Sequence, residues 1–314
     1  MTIEASRLPL TAEALEAPPL SIGKMAWLRF RRHKMAMIGA VTLILMFVYA
    51  FGGSLIYTEA YANRTETGNS LAAPSRDHPF GTDVIGRDIL ARSIYGGQIS
   101  LVIGVAAVAV MLLVGVTIGA LSGYFGGLVD ALLMRFTEAV ITIPSLFLLL
   151  VMAKFFGGQI ADIRLLGRSF SGSVVVIVLI IGFTSWTYLA RIVRAEFLSL
   201  KEDDFILAAR ATGTPTWEII FRHILPNTIA PIVVAATIGV AAAIISEAYV
   251  SFLGLGVQPP TATWGNMMSG AYNYIEAAPW LWFFPGLLIL LTVLSINFVG
   301  DGLRDALDPR SRPM

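Results

Sequence analysis

Residues 100–122 read SLVIGVAAVAVMLLVGVTIGALS, a run without a single charged residue or histidine. A helix needs about 20 such residues to cross the ~30 Å of hydrocarbon in a bilayer. Four further stretches are as long and as free of charge: Ala36 to Thr58, Ser169 to Ala190, Ile224 to Ser246, and Ala277 to Gly300. A sixth, Ala139 to Ala153, is shorter and bounded by Glu138 and Lys154. Those two side chains can snorkel to the interfaces, so this segment is read as a span too. Six transmembrane helices are expected.

Composition agrees. Of 314 residues, 56% are hydrophobic and only 14% charged, with a mean hydropathy of +0.75, whereas a soluble chain carries about a quarter charged residues. The net charge of +1 gives no basic field directed at nucleic acid. The absence of cysteine excludes disulfides and thiolate metal sites. His33, His78 and His223 lie far apart, with no ligand spacing.

Lys and Arg set the expected orientation. Arg7, Lys24, Arg29, Arg31, Arg32 and Lys34 precede the first span and place the N-terminus in the cytoplasm. Six crossings then put loops 123–137 and 191–227 and the C-terminal tail inside, and together with the N-terminal segment these hold 15 of the 22 Lys and Arg. Loop 251–280, expected outside, holds none. Residues 1–22, with Pro9, Pro18 and Pro19, read as a mobile cytoplasmic tail. Ala60-Tyr61-Ala62 has the form of a leader cleavage site. The apolar stretch before it exceeds a leader's core, and Glu4, Glu13 and Glu16 precede that stretch, so it is read as a retained span.

Gly115, Gly119 and Gly123 recur every fourth residue, leaving one helix face without side chains for close backbone approach. The fifth span is similarly rich in small residues, from Ala235 to Ala243. Of the four lysines only Lys24 follows a glycine, and Met25 comes next, so there is no P-loop. No H-E-x-x-H and no G-x-S-x-G occurs, so no catalytic residue and no cofactor site is assigned. Charge within the spans is nearly absent, which counts against an ion-coupled carrier. Glu247 is the main exception and is expected at the outer interface.

The loop from Arg191 to Asn227 is the most organised soluble segment. Asp203 and Asp204 are N-cap candidates for a short helix through Ala208, Ala209 and Arg210 to Thr212, which Gly213 ends. Thr214 then caps a second helix with Pro215 at its first position, carrying Trp217, Ile220, Phe221 and Ile224 until Pro226 breaks it. The result is a compact knob with exposed aromatic side chains.

Ala208-Ala209-Arg210-Ala211-Thr212-Gly213, followed by Leu225-Pro226, resembles the EAA loop of bacterial ABC-importer permeases. Leu207 and His223 depart from the general pattern, while Arg222-His223-Ile224-Leu225-Pro226-Asn227 is similar to the peptide and nickel branch. His78 to Asp83 with Gly86-Arg87-Asp88, Ser251 to Val257, Trp264-Gly265, and Gly300 to Asp305 resemble signatures of the C-type subunit of dipeptide and oligopeptide permeases. The resemblance implies a six-helix type I importer transmembrane domain with no catalytic activity of its own. It implies a homologous B-type permease as heterodimer partner, two cytoplasmic ATPase subunits, an extracytoplasmic substrate-binding protein and a bacterial inner membrane. Asp204, Ala208, Ala209, Arg210, Gly213, Trp217, Arg222, His223, Leu225 and Pro226 become the expected ATPase-coupling residues. Peptides are the implied cargo, with nickel chelates as the alternative. A stand-alone secondary transporter and a membrane scaffold are the rivals from other classes.

The outer signature also has a physical reading. Ile85, Ile89, Leu90 and Ile94 recur at helical spacing, so an amphipathic surface helix is expected over Val84 to Tyr95. Asp83 with Arg87 and Asp88 with Arg92 fall at i,i+4, the favourable order for ion pairs. These four are candidates for a binding-protein or outer-gate contact. The chain divides into the tail, a first span with its outer loop over 23–99, and a core over 100–314 that contains the coupling loop 195–227.

Overall fold

The computed structural model describes residues 21–165 and 168–308. Of the tail read over residues 1–22 the first 20 lie outside the described residues, as do the final residues of the C-terminal tail, and Ser21 and Ile22 already open the first helix. Helix α1 (Ile22–Arg32) starts at Ser21, whose Oγ accepts from the Lys24 amide. Helix α2 (Lys34–Phe47) starts at His33, whose Nδ1 accepts from the Ala36 amide at 3.1 Å. It continues through a π turn, Val48–Gly52, and a 3-10 turn, Gly53–Leu55. After α3 (Glu59–Ala62) and a folded loop come α4 (Ile89–Phe125), α5 (Gly127–Thr142) and α6 (Ser145–Phe156). A two-stranded antiparallel hairpin, Ile163–Leu165 with Arg168–Phe170, precedes α7 (Gly172–Leu200). The short helices α8 (Asp204–Ala211), α9 (Thr216–Glu218) and α10 (Leu225–Asn227) lead to α11 (Ile229–Phe252). Helix α12 (Trp264–Met267) and α13 (Trp280–Leu307) complete the fold.

Close contacts at glycines fix the direction of each long helix. Gly53 approaches Ile94, and Gly97 approaches Ala50, so α2 and α4 run antiparallel. Gly182 approaches Ala107 and Val110, Gly119 approaches Ala190 and Val193, and Gly123 approaches Phe197, so α4 and α7 run parallel. Two successive helices can be parallel only if the chain between them returns to the starting end, and α5 with α6 makes that return. Gly104 near Ile244 and Gly239 near Met111 make α11 antiparallel to α4; Gly39 near Ser295 and Gly302 near Ala36 make α13 antiparallel to α2. The ends of α4, α7 and α13 therefore share one end of the bundle with residues 204–227. Loops 56–88 and 253–279 share the other.

The Gly115, Gly119 and Gly123 stripe expected from sequence is the seam between α4 and α7. A Cβ on Gly119 would stand 2.5 Å from the Ala190 carbonyl oxygen and 2.7 Å from Val193 Cβ, and one on Gly123 would stand 2.5 Å from Phe197 Cβ.

Two expectations need correction. The third crossing is no single segment over Ala139 to Ala153 but the pair α5 and α6, bent by 84°. Pro144 sits at the break, where Ile143 is extended, as the residue before a proline favours. The second correction concerns the expected surface helix over Val84 to Tyr95. Residues 82–88 form a loop with positive φ at Gly81 and Gly86, and the helical periodicity beyond it belongs to the first turns of α4 itself. Helix α4 is about 55 Å long at 1.5 Å per residue, well beyond the ~30 Å thickness of the hydrocarbon.

Gly119→Leu is expected to destabilise the protein by about 1–3 kcal/mol or more through overpacking of the seam. Gly23→Ala, at a site with no atom within 4 Å of the new Cβ, should leave stability unchanged. Thermal unfolding of the detergent-purified variants checks the pair.

Candidate functional site

The knob at residues 204–227 has one buried side and one bare side. Ile206, Ile219, Ile220 and Ile224 are buried in a cluster with Val193 and Phe197 of α7. Phe205, Leu207, Trp217 and Phe221 are exposed, and Trp217 and Phe221 are each 64% accessible. Ala208 is exposed between them. Exposed aromatics around a small flat patch are the composition of a protein-binding surface. Arg210 lies over the Tyr124 ring at 5.5 Å, which ties it to the end of α4, and Arg222 Nη1 donates to Glu218 Oε1 at 2.7 Å, one turn back in the knob.

Asp203 occupies the N-cap position of α8, as expected, although its side chain makes no capping hydrogen bond; its carbonyl accepts from the Ile206 and Leu207 amides. Gly213 ends α8 with φ +79°, and the Thr214 amide bonds back to the Ala209 carbonyl at 3.1 Å. The cap of the second helix lies one residue later than expected, at Pro215 rather than Thr214. Pro226 does not break that helix. A π turn over Ile219–Ile224 precedes it, and the wider turn makes room for the ring, so the break falls at Thr228.

Below the knob, Arg194 Nε and Nη2 donate to the two carboxylate oxygens of Asp130 at 2.5 and 2.6 Å, and Ser122 Oγ donates to Asp130 Oδ1 at 2.5 Å. This knot joins the ends of α4, α5 and α7. Nothing in the sequence signalled it, because the partners are 64 residues apart.

At the opposite end, the four charged candidates fare differently. Asp83 Oδ2 accepts from Arg87 Nε at 2.6 Å, so that pair forms, though in a loop rather than on a helix. Asp88 and Arg92 do not pair. Asp88 caps α4 through the Ala91 amide at 2.8 Å, and its other oxygen lies 2.8 Å from His78 Nδ1. Arg92 donates instead to Asn63 Oδ1 at 2.9 Å.

Glu247 is a correction as well: it is wholly buried, not interfacial. Its carboxylate accepts from Ser251 Oγ at 2.7 Å and Ser100 Oγ at 3.2 Å, with the Thr263 side chain as a third partner. Each hydroxyl in turn accepts from a backbone amide, of Val257, Trp264 and Asn266 respectively. With a lone pair of each hydroxyl so occupied, its proton is directed at Glu247. The Ser251 to Val257 and Trp264-Gly265 signatures thus converge on one carboxylate, and Trp264 Nε1 also bonds the Ser93 carbonyl at 2.9 Å. Among the described residues no cluster of His, Asp or Glu is placed to hold a metal ion.

A family model described as binding-protein-dependent transport system inner membrane component matches residues 115–313. The chain belongs to that family. A second model, for the N-terminal transmembrane domain of oligopeptide transport permease C, matches residues 21–74. Relatives within the family include the dipeptide transport system permease protein DppC of Alkalihalophilus pseudofirmus, 37% identical over 99% of this chain and all of that one. The oligopeptide transport system permease protein OppC of Bacillus subtilis is 39% identical over 96% of this chain and 94% of its own. Among solved structures, the MetNI methionine ABC transporter in an inward-facing conformation aligns with a TM-score of 0.53 at 20% identity, covering 68% of this chain and 95% of that chain. That likeness shows the fold of an importer transmembrane domain.

Truncating the buried carboxylate by Glu247→Ala strands three hydroxyl protons and is expected to cost about 1–3 kcal/mol for each group left unsatisfied. Glu247→Gln keeps one acceptor oxygen and should fall between the two. Thermal unfolding in detergent orders the three proteins.

Proposed function

We propose that this chain is the C-type permease subunit of an ATP-driven importer of peptides. The exposed two-helix knob at one end of a six-crossing bundle carries the reading. It has the surface of a docking element, and it sits at the end that the Lys and Arg distribution assigns to the cytoplasm. In this reading two ATPase subunits supply the energy, one of them grips the knob, and a related permease completes the membrane path. Ala208, Ala209 and Gly213 shape the docking surface, and Asp204, Trp217, Arg222, His223, Leu225 and Pro226 frame it. Arg210 braces it against Tyr124. ATP-driven movement of the ATPases shifts the knob, and the bundle changes its accessible side because ATP binds the two states unequally.

Both termini are then cytoplasmic, and the chain resides in a bacterial plasma membrane. Loops 56–88 and 253–279 face the side where an extracytoplasmic binding protein delivers cargo, and the segment Asp83, Arg87, Asp88 and Arg92 lies on its approach. The names of the relatives support dipeptides or oligopeptides as that cargo.

Gly213→Val and Ala209→Glu test the coupling role. No atom lies within 4 Å of a Cβ on Gly213, so valine meets no clash there. The positive φ still strains a β-branched residue by about 1–3 kcal/mol and should tilt α9 relative to α8. Both variants are expected to reach the membrane at normal levels while losing peptide uptake and ATPase association. Wild-type uptake at normal expression would rule the assignment out.

A further inference from the structure

The four charges at the loop end of α4 differ in one respect. Asp83 and Arg87 are joined to each other, and Asp88 is divided between the Ala91 amide and His78. Arg92 is only 4% exposed, and it donates to a neutral amide oxygen, that of Asn63. Among the described residues no carboxylate oxygen stands within 4.0 Å of its guanidinium. A buried cation of this kind is costly unless an anion meets it. Arg92 also lines a cavity of about 230 Å³, together with the paired Asp83 and Arg87 and with Pro259, Ser269, Asn273 and Tyr274. With one Nη1 proton given to Asn63, the Nε and Nη2 edge is left over, which is the fork that takes a carboxylate side-on.

The cavity opens between loop 82–88 and loop 259–274, at the end of the bundle away from the knob. Exposed Val84, Tyr272 and Ile275 stand around these loops, and Ser269 and Asn273 line the mouth. A buried arginine at the base of a pocket with an apolar and tyrosine rim is the arrangement of an interface hot spot. The pocket lies at the end of the bundle that the Lys and Arg distribution assigns to the outside, where a soluble partner arrives. We propose that Arg92 receives the carboxylate of an acidic side chain on the substrate-binding protein, which seats in this pocket when the protein docks. The inference rests on the importer reading above.

The test uses the complete transporter in liposomes, with ATPase rate followed against binding-protein concentration. Arg92→Gln should raise the half-saturating concentration at least tenfold and leave the maximal rate intact. Arg92→Lys, which keeps the charge without the fork, should raise it about threefold. Asn63→Ala should change it less than twofold, because the amide only steadies the arginine. Arg92→Glu should be rescued by lysine in place of one acidic residue on the docking face of the binding protein. An unchanged half-saturation in Arg92→Gln overturns the proposal, as does a purely structural outcome in which Asn63→Ala matches it. Rescue by a lysine in the second permease would also overturn it. If the wild-type complex shows no stimulation by its binding protein at all, the importer reading itself fails and takes this inference with it.

Discussion

Helix α4 lies against α7 because Gly115, Gly119 and Gly123 present backbone where a side chain would crowd Leu189 or collide with Ala190, Val193 or Phe197. In a bilayer there is no hydrophobic gain from pressing two helices together, so van der Waals contact at this range is the main attraction available. The seam also fixes direction. It holds α4 parallel to α7, which forces α5 and α6 to carry the chain back between them. The knot of Asp130 with Arg194 and Ser122 closes the same seam at its far end. The knob then rests on α7 through Phe197 and Val193, so its position follows from the seam as well.

Polar groups follow the same logic. Glu247 is tolerated within the bundle because hydroxyls from α4, α11 and the loop before α12 give it their protons. The carboxylate thereby joins the packed helices to loop 253–263, which reaches the wall of the Arg92 pocket at Pro259.

Much of this was legible in the sequence. Uncharged length located five crossings, glycine spacing located the seam, and Gly213 with its neighbours outlined the knob. Where the reading failed, the cause was a tertiary partner that linear pattern cannot show. Asp88 and Arg92 have the spacing of an ion pair, yet Asp88 is more useful as the cap of α4, and His78 reaches it from outside the helix. Glu247 looked interfacial because its hydroxyl partners come from positions 100, 251 and 263, two of them remote in sequence. The bend of the third crossing hides in Pro144, which the apolar count passed over. Pro226 misled in the opposite sense, since a π turn absorbs it.

The central claim is that the knob at 204–227 is gripped by an ATPase subunit. The chain has no native cysteine, so Ala208→Cys provides a unique thiol on the knob's exposed face. A short bifunctional thiol reagent, applied to inverted membrane vesicles from the native host, should join it to an ATPase subunit, with a yield that changes when ATP is added. Asn69→Cys, in the loop at the other end, should give no such product. Crosslinking of Ala208→Cys to no ATPase in vesicles that still transport peptide would contradict the account.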